Sequence, residues 1–275
     1  MHNLSSTSAL VLLWAQQDCY QSKCAKEYLS LLNLEIGMAL YNECKKIWPH
    51  YNEVIKNRKF GVFNLIKKCA NSENKCQQVI IAGAGFDALG IEIVEHFPQI
   101  RVFELDRENM KIKSRLITNI NIETKKNISF IETDLSDVSS VCKNLHEYDW
   151  NPKKSTLLIF EGISYYLSSV TIKSFVQAIN PNWTIFEFLK LDKEIDISRI
   201  YIPKKVFGEI EKLCTLPNIE KYDYPKIENL FDDSDITVKY SMKELEKMRT
   251  GENKFFSTEN SGWINVCLLK RNHCE

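Results

Sequence analysis

The sequence predicts an α/β fold, a Rossmann-like doubly wound sheet of seven strands behind an N-terminal helical cap. Three observations lead there. From Gln77 onward, strand patterns alternate with helix patterns, the signature of a parallel sheet with helical crossovers. The preceding 76 residues show apolar positions at helical spacing and no strand pattern. Between them stands a single mechanical unit. The apolar strand Val79-Ile80-Ile81-Ala82 runs into the small-residue turn Gly83-Ala84-Gly85-Phe86-Asp87, and a second strand ends in Phe103-Glu104-Leu105-Asp106.

The elements follow in order. Tyr28, Leu29, Leu32, Ile36, Ala39 and Leu40 place one helix over Ser22 to Ile47, ended by Trp48-Pro49. A second helix is expected over about Gly61 to Ala70. Strands are expected at 78–82, 100–106, 127–132, 155–161, 183–189, 236–240 and 263–270. Helices are expected at 87–97, 107–118, 136–145, 168–179 and near 203–213, and another behind the capping box Ser241-Met242-Lys243-Glu244. The pattern loosens over about 190–235, around Pro217 and Pro225. The chain therefore divides into a cap over 1–76 and a core over 77–275 with an insertion at about 190–235.

Composition excludes several classes. With 275 residues and 44% hydrophobic content, the chain can bury a full core. Lys+Arg and Asp+Glu balance at 36 each, so no global field draws the protein to nucleic acid or an anionic membrane. The apolar run within Met1 to Leu13 lacks a basic n-region and a clean cleavage site, which argues against a signal peptide. No stretch reaches the roughly 18 apolar residues of a membrane span. Nine cysteines, Cys19, Cys24, Cys44, Cys69, Cys76, Cys142, Cys214, Cys267 and Cys274, contain no C-x-x-C pair, and His2, His50, His96, His146 and His273 form no ligand pattern. No metal is expected. Reduced thiols and the absence of an export signal point to the cytoplasm.

The chemistry concentrates at strand ends. Gly83 and Gly85 let the backbone turn sharply and approach a ligand, while Glu104 and Asp106 can serve a ribose. This unit serves NAD, FAD or S-adenosylmethionine, and Gly83-x-Gly85-x-x-Ala88 also satisfies the dinucleotide fingerprint. Asp87 favours the sulfonium cofactor, because an acid directly after the turn faces an ammonium and repels a pyrophosphate. Strand three ends in Asp134-Leu135, where the acid either accepts from an adenine amino group or caps the helix starting near Ser136. Strand four ends in Glu161-Gly162, followed by Tyr165 and Tyr166 beside the glycine turn.

Together these residues resemble the leucine carboxyl methyltransferase family of class I S-adenosylmethionine-dependent O-methyltransferases, whose members include polyketide-tailoring enzymes. The resemblance spans about Arg58 to Leu167. It comprises Arg58-Lys59-Phe60-Gly61-Val62-Phe63-Asn64-Leu65-Ile66, the Gly83-x-Gly85-x-Asp87 turn, Glu104-Leu105-Asp106, Asp134-Leu135, and Glu161 with Tyr166-Leu167. It implies S-adenosyl-L-methionine as cofactor and S-adenosyl-L-homocysteine as product. By the same likeness Arg58 clamps the methionine carboxylate, Asp106 binds the ribose with Glu104 in support, and Asp134 and Leu135 hold the adenine. Glu161 sits near the cofactor's amino group, and Tyr166, with Tyr165 beside it, borders the methyl-transfer site as the candidate catalytic pair.

The N-terminal basic residue of the eukaryotic enzymes has no clear counterpart, Lys23 and Lys26 being the nearest candidates, and the C-terminal third carries little family pattern. The expected acceptor is therefore a small molecule, possessing a carboxylate or hydroxyl, of the polyketide or a related specialised type. The alternatives are a protein C-terminal carboxyl methyltransferase, an NAD-dependent oxidoreductase and a cofactor-binding scaffold. The acceptor walls are expected from the cap and from 190–235, with Trp14, Tyr20, Phe63, Tyr201, Phe207, Tyr222 and Tyr224 as lining or, more commonly for such aromatics, as core.

Overall fold

A computed structural model describes residues 4–15, 17–73, 75–120, 125–213 and 218–272; Cys214, Cys274, Pro217, His2 and His273 lie outside the described residues. The helical segment contains α1 (Ser6–Ala15), α2 (Lys23–Ser30), α3 (Met38–Ile47) and α4 (Tyr51–Ala70). Then come β1 (Gln78–Ala82), α5 (Leu89–His96), β2 (Arg101–Asp106), α6 (Met110–Thr118), β3 (Ile128–Glu132), α7 (Val138–Glu147), β4 (Thr156–Phe160), α8 (Ser169–Ile179) and β5 (Trp183–Leu189). The chain ends through α9 (Tyr201–Glu211), α10 (Tyr224–Leu230), β6 (Ser234–Ser241), α11 (Met242–Thr250) and β7 (Ile264–Arg271).

The seven strands form one sheet in the order β3-β2-β1-β4-β5-β7-β6. The first five are parallel, and β7 inserts antiparallel between β5 and β6. Side chains alternate between two cores: Val79, Ile81, Leu157 and Ile159 face one layer, Ile80, Ala82, Leu158 and Phe160 the other. Burial on both faces explains why these strands read as continuous apolar runs. The strand order reverses between β1 and β4, so the carboxyl ends of these strands flank the crevice where open sheets of this kind bind ligands.

The helical segment departs from expectation in two places. The helix expected over Ser22 to Ile47 is broken: α2 ends at Ser30, and Asn33 Oδ1 accepts the Glu35 N–H at 2.9 Å before a short 3-10 turn leads into α3. The helix expected from Gly61 begins at Tyr51 instead, making α4 twenty residues long. Gly61 lies inside it, where a Cβ would stand 2.7 Å from Leu245 Cδ2, so this glycine admits α11 rather than starting a helix. The segment 190–235 holds α10 as well as the expected helix; Asp223 caps α10 by accepting from Lys226 N, with Pro225 in its first turn. The capping box forms as read: Ser241 Oγ accepts from Glu244 N at 3.3 Å and Glu244 Oε2 from Ser241 N at 2.8 Å.

Cys19, Cys44, Cys69, Cys76, Cys142 and Cys267 are free thiols, and Cys24 is buried. Among the described residues no helix is long and apolar enough to cross a membrane, and no group of three or more His, Cys, Asp or Glu is placed to hold a metal.

Candidate cofactor and acceptor site

At the carboxyl ends of β1 and β2 the turn is fixed by short bonds. Ala84 N donates to Leu105 O at 3.0 Å and Gly85 N to Asp106 Oδ2 at 2.8 Å. Gly83 and Gly85 have φ of +67° and +49°, the left-handed region that glycine enters without strain. A Cβ on Gly85 would meet only Asp106 Oδ2, at 4.0 Å, so the turn presents bare backbone. Behind it Lys113 Nζ donates to the carbonyls of Gly85, at 3.1 Å, and Asp87, and pairs with Glu104.

A cavity of about 480 Å³ opens in front of the turn. Its wall includes Arg58, Gly83, Gly85, Asp87, Glu104, Asp106, Asp134, Leu135, Glu161, Tyr165 and Tyr166, so the candidate catalytic and cofactor-binding residues border one space. The acids do not share one environment. Asp134 is exposed and accepts from Ser136 N and Oγ at 2.9 and 2.7 Å, which hold its carboxyl below the usual range. It does not cap α7, because Asp137 does so by accepting from Ser140 N. Glu104 is buried against Lys113 and Gly90 N, and burial outweighs the lysine, pushing its carboxyl up to about 7.

The other end of the cavity is a charge cluster. Glu161 Oε1 accepts from Arg58 Nε at 3.1 Å and from Lys59 Nζ at 3.0 Å. Lys59 Nζ also stands 2.5 Å from Asp87 Oδ2, to which the Tyr20 hydroxyl donates at 2.8 Å. Burial opposes ionisation of Asp87, yet Lys59 holds its carboxyl below the usual range. Arg58 is buried and flanked by Glu161 and Glu187, which overcome the burial penalty and raise its pKa. Glu187, on β5, accepts from Gly162 N at 2.6 Å through Oε2, while its buried Oε1 has no hydrogen-bond partner among the described residues. Burial pushes Glu187 up to about 7 against the pull of Arg58. Tyr165 is buried, and its ring meets Tyr166 edge-on at 4.6 Å. Burial and then Glu187 drive the Tyr165 phenol well above its ordinary value.

Sequence reasoning missed Lys59, Lys113 and Glu187, although each left a trace. Ile55, Arg58, Lys59, Val62 and Ile66 fall on one helical stripe, and so do Met110, Lys113 and Ile117. A cation on an apolar stripe, or Glu187 within the otherwise apolar strand Trp183–Leu189, marks a buried charge that needs a partner. Of the two segments expected as walls, residues 1–76 and 190–235, the first borders the cavity through Thr7, Ser8, Val11 and Leu12 of α1, and the second does not among the described residues. Of the aromatics weighed as lining or core, most pack as core. Trp14 stacks on Tyr51, Phe63 meets His96, Tyr222 meets Phe186 and Tyr224 meets Phe188. Tyr201 sits on the surface beside Lys205, and Phe207 backs Tyr165 and Tyr166. Lys23 and Lys26 are exposed and outside the cavity.

The leucine carboxyl methyltransferase family model matches residues 18–180, a span that includes Arg58, the glycine turn, Glu104, Asp106, Asp134, Leu135, Glu161, Tyr165 and Tyr166. The chain belongs to the leucine carboxyl methyltransferase family. Membership in this methyltransferase family implies S-adenosylmethionine as the methyl donor. Solved structures share the fold. A DUF574 family protein from Streptomyces avermitilis superposes with a TM-score of 0.71 at 9% identity, over 98% of each chain. A candidate methyltransferase from Thermobifida fusca gives 0.67 at 14% identity, over 94% of this chain and 97% of that one. A candidate O-methyltransferase from Nostoc punctiforme gives 0.50 at 13% identity, over 96% and 72%. No curated protein matches the sequence.

Proposed function

We propose that the chain is a cytoplasmic S-adenosylmethionine-dependent O-methyltransferase that methylates a carboxylate or hydroxyl oxygen of a small molecule, of polyketide or similar specialised type. One observation carries the reading: a single cavity joins the bare glycine turn to acids, an apolar wall and a buried Arg58. The residues fit the cofactor part by part. Asp106 at the end of β2 suits ribose hydroxyls, Asp134 with Leu135 suits a polar-edged flat ring, and Arg58 suits a carboxylate. In this reading residues 1–76 cap a core over 77–275, and α1 excludes water from the reacting atoms.

The bound cofactor supplies an activated methyl group and a neutral thioether leaving group. What remains for the chain is positioning. Tyr165 and Tyr166 border the cavity, and a Tyr165 phenol raised far above 10 holds its proton at neutral pH. It can donate a hydrogen bond to an acceptor oxygen but takes no proton from it. That favours an acceptor ionised before it arrives, a carboxylate.

Isothermal titration with S-adenosylmethionine, S-adenosylhomocysteine and NAD, on wild type and Asp106→Ala, tests the cofactor. Micromolar binding of both sulfur ligands, lost in the variant and absent for NAD, is expected. Binding of NAD, or of none of the three, refutes it. An acceptor screen that includes a leucine-terminated peptide then separates small-molecule from protein methylation.

A further inference from the structure

Asp87 and Glu161 converge at one end of the cavity, and the cation between them belongs to the chain itself. Lys59 Nζ lies 2.5 Å from Asp87 Oδ2 and 3.0 Å from Glu161 Oε1, with the Tyr20 ring centre 5.6 Å away. Two carboxylates and an aromatic face make a seat for an ammonium group. The Lys59 side chain is only 6% exposed and borders the cavity, so the seat is filled from within.

We propose that Lys59 is a resident substitute for the ligand's α-ammonium: a ligand ammonium enters the Asp87–Glu161 seat only by displacing it. Lys59 thereby sets how strongly the site prefers ligands with that group. The inference rests on the cofactor reading above. Two physical arguments support it. Lys59 Nζ reaches both Asp87 and Glu161 while Arg58 pairs with Glu161, so a departing Lys59 takes a contacting cation from Asp87, and a ligand ammonium is the group that can replace it. Once a ligand arrives, two ammonium groups compete for one seat, and like charges at contact distance in a partly dry site repel strongly.

Of the two cations here, Lys59 is the one free to leave. Arg58 is wedged between Glu161 and Glu187, beside Gly162, with its terminal nitrogens 3.5 and 3.6 Å from where a Gly162 Cβ would stand. Lysine is a point charge on a flexible four-carbon stem, so its ammonium can swing aside while the backbone of α4 stays in place.

The test compares S-adenosylhomocysteine with its desamino analogue, which keeps the carboxylate and lacks the ammonium, by titration on wild type and Lys59→Met. Wild type should favour the amino ligand by less than about threefold, and Lys59→Met should bind it about tenfold tighter with no gain for the desamino ligand. An unchanged or weaker affinity of the variant for S-adenosylhomocysteine, or an equal gain for both ligands, overturns the proposal but leaves the cofactor reading standing. Binding of neither ligand to wild type overturns both. A measurement on wild type alone covers a variant that does not fold. Reductive methylation with formaldehyde, read by peptide mass spectrometry, should spare Lys59 in the empty protein and modify it when S-adenosylhomocysteine saturates the site. Protection of Lys59 at saturation overturns the displacement.

Discussion

Lys113→Met removes the cation from a pair sealed off from water on both sides, the Lys113 and Glu104 side chains being 0% and 1% exposed. Met fills most of the lysine stem's volume, so the loss is one of charge rather than packing. Glu104 is left with Gly90 N, at 3.2 Å, as its hydrogen-bond donor, and the carbonyls of Gly85 and Asp87 lose theirs. Removing one partner of a buried pair costs about 3–5 kcal/mol. Glu104 limits that cost by taking up a proton, since burial already pushes it up to about 7 with the lysine present. A carboxyl whose folded pKa is raised adds stability below its unfolded pKa and loses it as pH rises through the folded value. The deficit should therefore be about 4 kcal/mol at pH 8 and about half that at pH 5.5. Urea unfolding at the two pH values measures it. Adding Glu104→Gln should recover at least half of the pH 8 loss, because an amide needs no counter-charge. A deficit below about 1 kcal/mol at pH 8, or one independent of pH, would refute the reasoning.

Glu187 obeys the same sign rule. Burial raises it from 4.5 to about 7 with Arg58 opposing, so wild-type stability should fall between those pH values, and Glu187→Gln should flatten the profile by about 1–3 kcal/mol in urea titrations across the window. Gly83→Ala should cost about 1–3 kcal/mol in thermal unfolding from its φ of +67°, and more from a Cβ placed 2.7 Å from Ile163 Cγ1. Asp106→Ala removes the acceptor for Gly85 N at 2.8 Å and should lower stability by only about 1 kcal/mol, while weakening S-adenosylhomocysteine at least tenfold by calorimetry.

How much was legible follows from the periodicity of each element. The strands β1, β2, β4 and β5 are buried on both faces, mostly apolar and bounded by turn residues, so their positions emerge within a residue or two. The turn Gly83 to Asp87 and the acids after it were legible because glycine pairs and strand-end carboxylates are rare outside sites. The cap was harder to parse. Gly61 reads as a break but serves the approach of Leu245, a contact 184 residues away in sequence that no local pattern records. Asn33 lies in an apparent helix and ends it through its own side chain. The partners of the legible acids were hidden for a related reason: Lys59, Lys113 and Glu187 sit at positions that periodicity assigns to the core, and only the fold shows which charge each one meets.

Those partners decide how the helical segment relates to the sheet. Tyr20 donates to Asp87, Tyr28 to the Phe86 carbonyl at 3.1 Å, and Glu92 accepts from Gln21 N and Ser22 N at 2.8 and 3.0 Å. From α4, Arg58 and Lys59 answer Glu161 and Asp87, and Arg58 faces Glu187. Several of the bonds that fasten the helices to the sheet, those of Tyr20, Arg58 and Lys59, are thus also the bonds that set the charge of the cavity. Deleting the helices would leave three carboxylates at the ends of β1, β4 and β5 without their cations, a cost the sheet alone has no means to offset. A ligand that competes for any of these groups must loosen an attachment of the cap as it binds. Ligand affinity and the attachment of the helical segment are therefore coupled in opposite senses: a substitution in α4 that weakens an attachment should lower stability and raise the affinity of a ligand that competes for the same seat.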